Sequence, residues 1–180
     1  ALTYPGMRSV AAHLRVNLAA VSTDGEGIIP ESFEQACVKA KPKALYCTPT
    51  IQNPTTATLS LARRHAIVDI ARRYQVPIIE DDAYGALPAS PLPPLASLAP
   101  DLVYHIAGLA KCLAPALRIA YLVAPEGATT SGLNTAIRAT ASMASPLTAA
   151  IASRWIEDGT AEAVVAAIRT ETAARQAIAA

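Results

Sequence analysis

Aromatic residues are scarce. One Phe, one Trp and six Tyr make up 4% of the 180 residues, so any core has to be built mainly from aliphatic side chains. Neither sign of charge dominates: fifteen Lys and Arg against fourteen Asp and Glu leave a net charge of +1, spread along the chain. That balance provides no basic stripe for nucleic acid and no acidic tail that would favour disorder. Cysteines are few. Cys37, Cys47 and Cys112 are odd in number and widely spaced, which argues against a disulfide framework and for a reducing, cytoplasmic setting. There is no positively charged leader followed by an apolar run, and no charge-free and proline-free apolar stretch approaching about 18 residues. The expectation is a soluble protein that is neither exported nor membrane-spanning.

Apolar side chains, by contrast, are plentiful at 52%, and the length is that of one ordinary domain. Apolar runs of strand length alternate with amphipathic stretches of helix length, a pattern that predicts βαβ units and a mostly parallel sheet. Five strands are expected at Val16 to Val21, Ala44 to Thr48, Pro77 to Asp81, Leu102 to Ile106 and Ile119 to Val123. Helices are expected over Gly6 to Leu14, Pro30 to Ala40 and Ser60 to Tyr74. Pro30 suits a first helical turn and Ser60 an N-cap. In the third helix Leu61, Ile67, Val68, Ile70 and Ala71 should face inward, leaving Arg63, Arg64, Arg72 and Arg73 to solvent. The proline-rich stretch from Asp82 to Pro100 reads as an extended loop. Beyond Pro125 the chain becomes alanine-rich helix, broken near Pro146 and Gly159, and ends in one long helix from Thr160.

Polar residues gather after the strands, where open α/β sheets bind ligands. Thr48-Pro49-Thr50-Ile51-Gln52-Asn53-Pro54-Thr55 follows the second, and Glu80-Asp81-Asp82-Ala83-Tyr84 ends the third. Ala107-Gly108-Leu109-Ala110-Lys111 follows the fourth, and Pro115-Ala116-Leu117-Arg118 leads into the fifth. Each alone has an ordinary reading: Asn-Pro as a turn, an acidic pair as a cap, a lysine or arginine as a solvated charge. Their order and spacing together are more informative.

Asn53-Pro54-Thr55-Thr56, Asp81-Asp82-Ala83-Tyr84, Gly108-Leu109-Ala110-Lys111 and Arg118, seven residues after the lysine, resemble the successive motifs of fold-type-I, pyridoxal-phosphate-dependent aminotransferases. The resemblance runs from Thr3 to the end. It implies an α/β fold: part of a PLP-transferase (aspartate aminotransferase-like) large domain, with a mostly parallel sheet between helical layers in a three-layer α/β/α arrangement. Residues 1–125 would be the central part of that domain, and 126–180 a helical segment leading toward a C-terminal small domain. The implied cofactor is pyridoxal 5'-phosphate. Lys111 would form the Schiff base and then, as a free amine in a desolvated or cationic setting, move the substrate proton. Asp81 would face the pyridine nitrogen and keep it protonated. Asn53 and Tyr84 would donate hydrogen bonds to the ring oxygen, Tyr4 would stack on one ring face and Ala83 lie against the other. Arg118 would hold the phosphate with its planar fork, beside the loop that begins at Gly108.

Departures accompany the matches. Where the family has glycine after Asn-Pro-Thr this chain has Thr56, and Gly108 and Ala110 replace two serines around the lysine. Ala116 and Ala120 stand for glycines flanking the arginine. Further strands, the glycine-rich phosphate loop and the small domain with its carboxylate-binding arginine are not in the sequence, so it reads as a fragment of a longer protein, inactive by itself. The resemblance implies amino-group transfer between an α-amino acid and a 2-oxo acid, by a homodimer when full length. Glu80-Asp81-Asp82 and Arg63-Arg64 also resemble the MocR-like, GntR-family transcription regulators, in which an aminotransferase-like domain senses ligand behind a winged helix-turn-helix; nucleic acid would then be a partner of that upstream segment. A catalytically silent structural domain is the third reading. No residue pattern suggests a metal site.

Overall fold

The computed structural model describes residues 2–179. Four strands form one sheet in the order β3 (Leu45–Cys47), β4 (Ile78–Asp81), β5 (Val103–Gly108) and β6 (Ala120–Val123). The first three are parallel, and β6 runs antiparallel to β5. A two-stranded ribbon, β1 (Thr23–Asp24) with β2 (Gly27–Ile28), stands apart from the sheet. The helices are α1 (Pro5–His13), α2 (Pro30–Ala40), α3 (Leu61–Tyr74), α4 (Leu95–Leu98), α5 (Ser131–Thr140), α6 (Pro146–Glu157) and α7 (Thr160–Ala179). Four of the five expected strands thus lie within two residues of their expected ends, and α2 matches throughout. Ser60 caps α3 as expected, its hydroxyl accepting from the Arg63 N–H at 3.4 Å. The alanine-rich stretch breaks near Pro146 and Gly159 as expected, with Pro146 in the first turn of α6, where a missing N–H costs nothing.

Strand alternation explains the core. Leu45 and Cys47, Ile78 and Glu80, and Val103 share one face, packed by Phe33 and Cys37 of α2, Ile67, Val68, Ile70 and Ala71 of α3, and Leu95 of α4. The other face, with Tyr46, Ile79, Asp81, Tyr104 and Ile106, is only half-buried. All three cysteines are free, buried thiols. Among the described residues no helix is long and apolar enough to cross a membrane.

Three expectations are corrected. Val16 to Val21 is not a strand: among the described residues no strand pairs with it, Val16 and Leu18 stand 53% and 52% exposed, and an apolar run without a ladder partner cannot hold extended pairing. The Asp82 to Pro100 stretch contains the short helix α4, because the Glu80 carboxylate accepts from the N–H groups of Leu95 and Ala96 at 2.8 and 3.0 Å and so fixes its first turn. In α3, Arg64 is buried at 1% exposure whereas Leu61 is 40% exposed. Arg64, Ile67, Val68 and Ala71 follow the i, i+3, i+4, i+7 spacing of a single helical stripe, which carries Arg64 inward.

Candidate active site

The register brings the motif-bearing segments to one edge. Cys47 pairs with Glu80 and Glu80 with His105, while Asp81 pairs with Ile106 and Ile106 with Leu122. The Asn53 loop, the Asp81 turn and the Lys111 loop therefore leave the sheet side by side at the carboxyl ends of β3, β4 and β5. Because β6 is antiparallel, its entry through Arg118 lies at that same edge. Gly108 pairs with Ala120, and the next rung is the Leu109 N–H bond to the Ile119 carbonyl at 3.0 Å. Lys111 and Arg118 thus rise from the two legs of one loop, whose buried Cys112, Leu117 and Ile119 turn inward and leave both cations exposed. Among the described residues neither cation makes a hydrogen bond or ion pair. Lys111 is solvent-exposed, not in the desolvated setting its expected role calls for.

Backbone conformation distinguishes two of these positions. Arg118 sits at φ +53° and Thr56 at φ +61°, both in the left-handed region that non-glycine residues avoid. Thr56 is the position where the resembling motif has glycine, and its φ supplies the reason. An added side chain at Gly108 would meet nothing within 4 Å, so the loop is open there.

Asp81 is half-buried, and its Oδ2 accepts a 2.6 Å hydrogen bond from the Tyr46 hydroxyl. Burial, then that bond, pushes the Tyr46 phenol far above its ordinary range, with smaller contributions from neighbouring charges including Tyr4. Asn53 is half-buried, joined to Pro54 by a cis peptide, and its carbonyl accepts from Gln52 Nε2 at 2.9 Å. The same Gln52 amide donates to the Leu2 carbonyl at 3.2 Å, tying the segment before Tyr4 to the Asn53 loop. Tyr4 precedes α1, 49% exposed, with its ring lying so close over Gly6 that a Cβ there would collide with it. Ala83 and Tyr84 occupy the half-buried turn after β4. A Cβ at Gly85 in that turn would meet the Asp82 carboxylate, which would have to turn aside.

Beneath this edge lies a polar network not foreseen from the motifs. Arg64 donates to the carbonyls of Leu59, Pro93 and Pro49 at 3.0, 3.1 and 3.2 Å and to the Thr50 hydroxyl at 2.9 Å. Those bonds join both sides of the Asn53 loop to the proline-rich segment. Glu80, fully buried, lies 4.0 Å from Arg64 and 2.9 Å from His105 Nδ1. The Glu80 hydrogen bond outweighs burial and raises the His105 pKa. Asp82 Oδ1 is buried without a partner, and desolvation, followed by Glu80, raises its carboxyl. A surface cleft lined by Cys37, Lys41, Pro42, Tyr74 and Gln75 lies at the opposite, amino end of the strands and contains none of the motif residues.

A family profile described as aminotransferase class I and II matches residues 1–179. The chain belongs to the class I and II aminotransferases. It is 44% identical over 124 residues to the uncharacterized HTH-type transcriptional regulator YdeF of Bacillus subtilis (strain 168), covering 69% of this chain and 27% of that protein. It is 40% identical over 88 residues to the aromatic amino acid aminotransferase C1773.13 of Schizosaccharomyces pombe, covering 46% and 18%. Its fold is similar to that of LysN, the α-aminoadipate aminotransferase of Thermus thermophilus solved with N-(5'-phosphopyridoxyl)-L-leucine: TM-score 0.83 and 25% identity, over 93% of this chain and 44% of that one. This class I and II aminotransferase chain therefore spans 18–27% of those two curated relatives and less than half of that solved structure. The α/β fold and mostly parallel sheet implied by the motifs are those of the family.

Proposed function

We propose that the full-length protein transfers an amino group between an α-amino acid and a 2-oxo acid, with pyridoxal 5'-phosphate carried on Lys111. The observation that supports this most is the register that brings the segments bearing Asp81, Lys111 and Arg118 to one edge of the sheet. The donor set suits such a cofactor: an unpaired amine, an unpaired guanidinium, a carboxylate with one oxygen left over, and an open loop at Gly108 beside which a phosphate would fit. When bound, the cofactor supplies an electron sink for the bond that breaks at the substrate Cα.

The protein supplies the rest. Lys111 would hold the cofactor and, as a free amine, would carry the proton at the substrate Cα; Arg118 would hold the phosphate, and Asp81 would serve the ring nitrogen. Asn53 and Tyr84 would donate to the cofactor's ring oxygen, and Tyr4 and Ala83 would pack against the ring. In this reading residues 1–125 belong to the cofactor-binding domain and 126–180 lead toward a small domain. The intact protein is a cytoplasmic homodimer acting on small amino and oxo acids.

A second reading is favoured by the regulator relative: the same site binds the cofactor as a ligand-sensing domain of a GntR/MocR-like transcription factor, and nucleic acid is then a partner. Titrating the full-length protein with pyridoxal phosphate and then with a panel of amino acids separates the readings. Amino-group transfer predicts a visible band that Lys111→Ala abolishes and that a particular amino acid converts to the pyridoxamine form. A band that no amino acid converts supports the regulator. With no band at all, both fail and a silent structural domain remains.

A further inference from the structure

We propose that Tyr46 is the positioning residue for Asp81, holding one carboxylate oxygen so that the other is presented to the nitrogen of a bound pyridine ring; this rests on the amino-group-transfer reading. Tyr46 pairs with Ile79 in the β3–β4 ladder, and Asp81, two residues further along β4, projects from the same sheet face. The Tyr46 hydroxyl therefore reaches along that face to Asp81 Oδ2 at 2.6 Å. Among the described residues no other group bonds the Asp81 side chain, so its rotation about χ2 is set by this single donor, and Oδ1 is left as the free acceptor. Burial keeps the phenol protonated across the ordinary pH range, so it acts only as a donor to this carboxylate.

A merely structural pin is the competing explanation, and the ladder argues against it. Backbone pairing from Leu45 to Cys47 with Ile78 to Glu80 already joins the two strands without the hydroxyl. The neighbouring acid makes the contrast: Asp82 lies in the turn, with Oδ1 buried and unpartnered, and no phenol serves it.

The test uses full-length protein carrying Tyr46→Phe, which removes the donor and keeps the ring, in two backgrounds, native Asp81 and Asp81→Ala. Two quantities are read: the concentration of pyridoxal phosphate that half-fills the Lys111-dependent band, and the pH midpoint of that band. With Asp81 present, Tyr46→Phe should weaken cofactor retention about tenfold, the scale of a hydrogen bond to a charged group, and displace the pH midpoint. In the Asp81→Ala background it should add nothing, because the group it positions is gone. Equal losses in both backgrounds, or no change in either quantity with Asp81 present, would overturn the proposal. If the band instead survives Lys111→Ala, it is the reading of the site that fails, and Tyr46 falls with it.

Discussion

Replacing Arg64 with methionine keeps an unbranched side chain in the helical stripe and removes only the guanidinium. Four hydrogen bonds of 2.9–3.2 Å disappear, to three backbone carbonyls and the buried Thr50 hydroxyl. Glu80 retains the N–H groups of Leu95 and Ala96 and the His105 ring but loses the nearby guanidinium. At 4.0 Å that pair is not a hydrogen bond, and at an effective dielectric of about 20 its Coulomb attraction of about 4 kcal/mol is largely offset by desolvation. The unmade bonds to carbonyls therefore carry most of the loss. Leaving buried acceptors unsatisfied costs about 1–3 kcal/mol each, so a loss of about 3–5 kcal/mol is expected, and with a urea slope of about 2 kcal/mol per molar the unfolding midpoint should fall by roughly 2 M.

Urea unfolding of the full-length protein, followed by far-ultraviolet circular dichroism, measures that shift. Arg63→Met is the control one residue away. Arg63, partly covered, grips the exposed Asp24 at 2.6 and 2.7 Å and donates to the Ile28 carbonyl at 3.2 Å, and its loss should cost about 1–2 kcal/mol, diminishing with salt. Arg64→Met costing less than about 1 kcal/mol, or no more than Arg63→Met, would refute the assignment of Arg64 as the anchor of the Asn53 loop.

Two further outcomes are expected. Thr56→Gly should raise stability by about 0.5–1 kcal/mol, because relief of a β-branched residue at φ +61° outweighs the extra backbone freedom of glycine; a lowered thermal midpoint would contradict it. His105, whose pKa is raised by the Glu80 carboxylate, binds its proton more tightly folded than unfolded. Its stabilisation is thus complete below about pH 6.5 and lost as pH rises through the raised folded value. His105→Gln should therefore lower the urea midpoint more at pH 6 than at pH 8.5, and an equal loss at both pH values would exclude the protonated pair.

Local pattern was enough for the elements that define the scaffold. Proline at the start of α2, serine before α3 and short aliphatic runs at β3 to β6 each answer to backbone sterics or to burial within a few residues, and all fall where the sequence places them. The gathering of Asn53, Asp81, Lys111 and Arg118 at one edge was equally legible, because segments that follow parallel strands leave the sheet together at the carboxyl ends, and a chain turning back from one of them re-enters there. The burial of Arg64 had a signal in its place on the apolar stripe, but a charged residue is ordinarily assigned to solvent, and the partners that make burial tolerable come from other segments. Val16 to Val21 has strand composition but no partner, and a strand exists only as half of a ladder.

Contacts across long sequence separations were decided by the tertiary structure alone. That Tyr46 meets Asp81 depends on the β3–β4 register, which no local pattern contains. That Glu80 caps α4 depends on the path of the proline-rich segment over the sheet. Spacing along the chain determines which side chains share a face of one element, whereas which faces meet is determined by how the elements bury their apolar surface together.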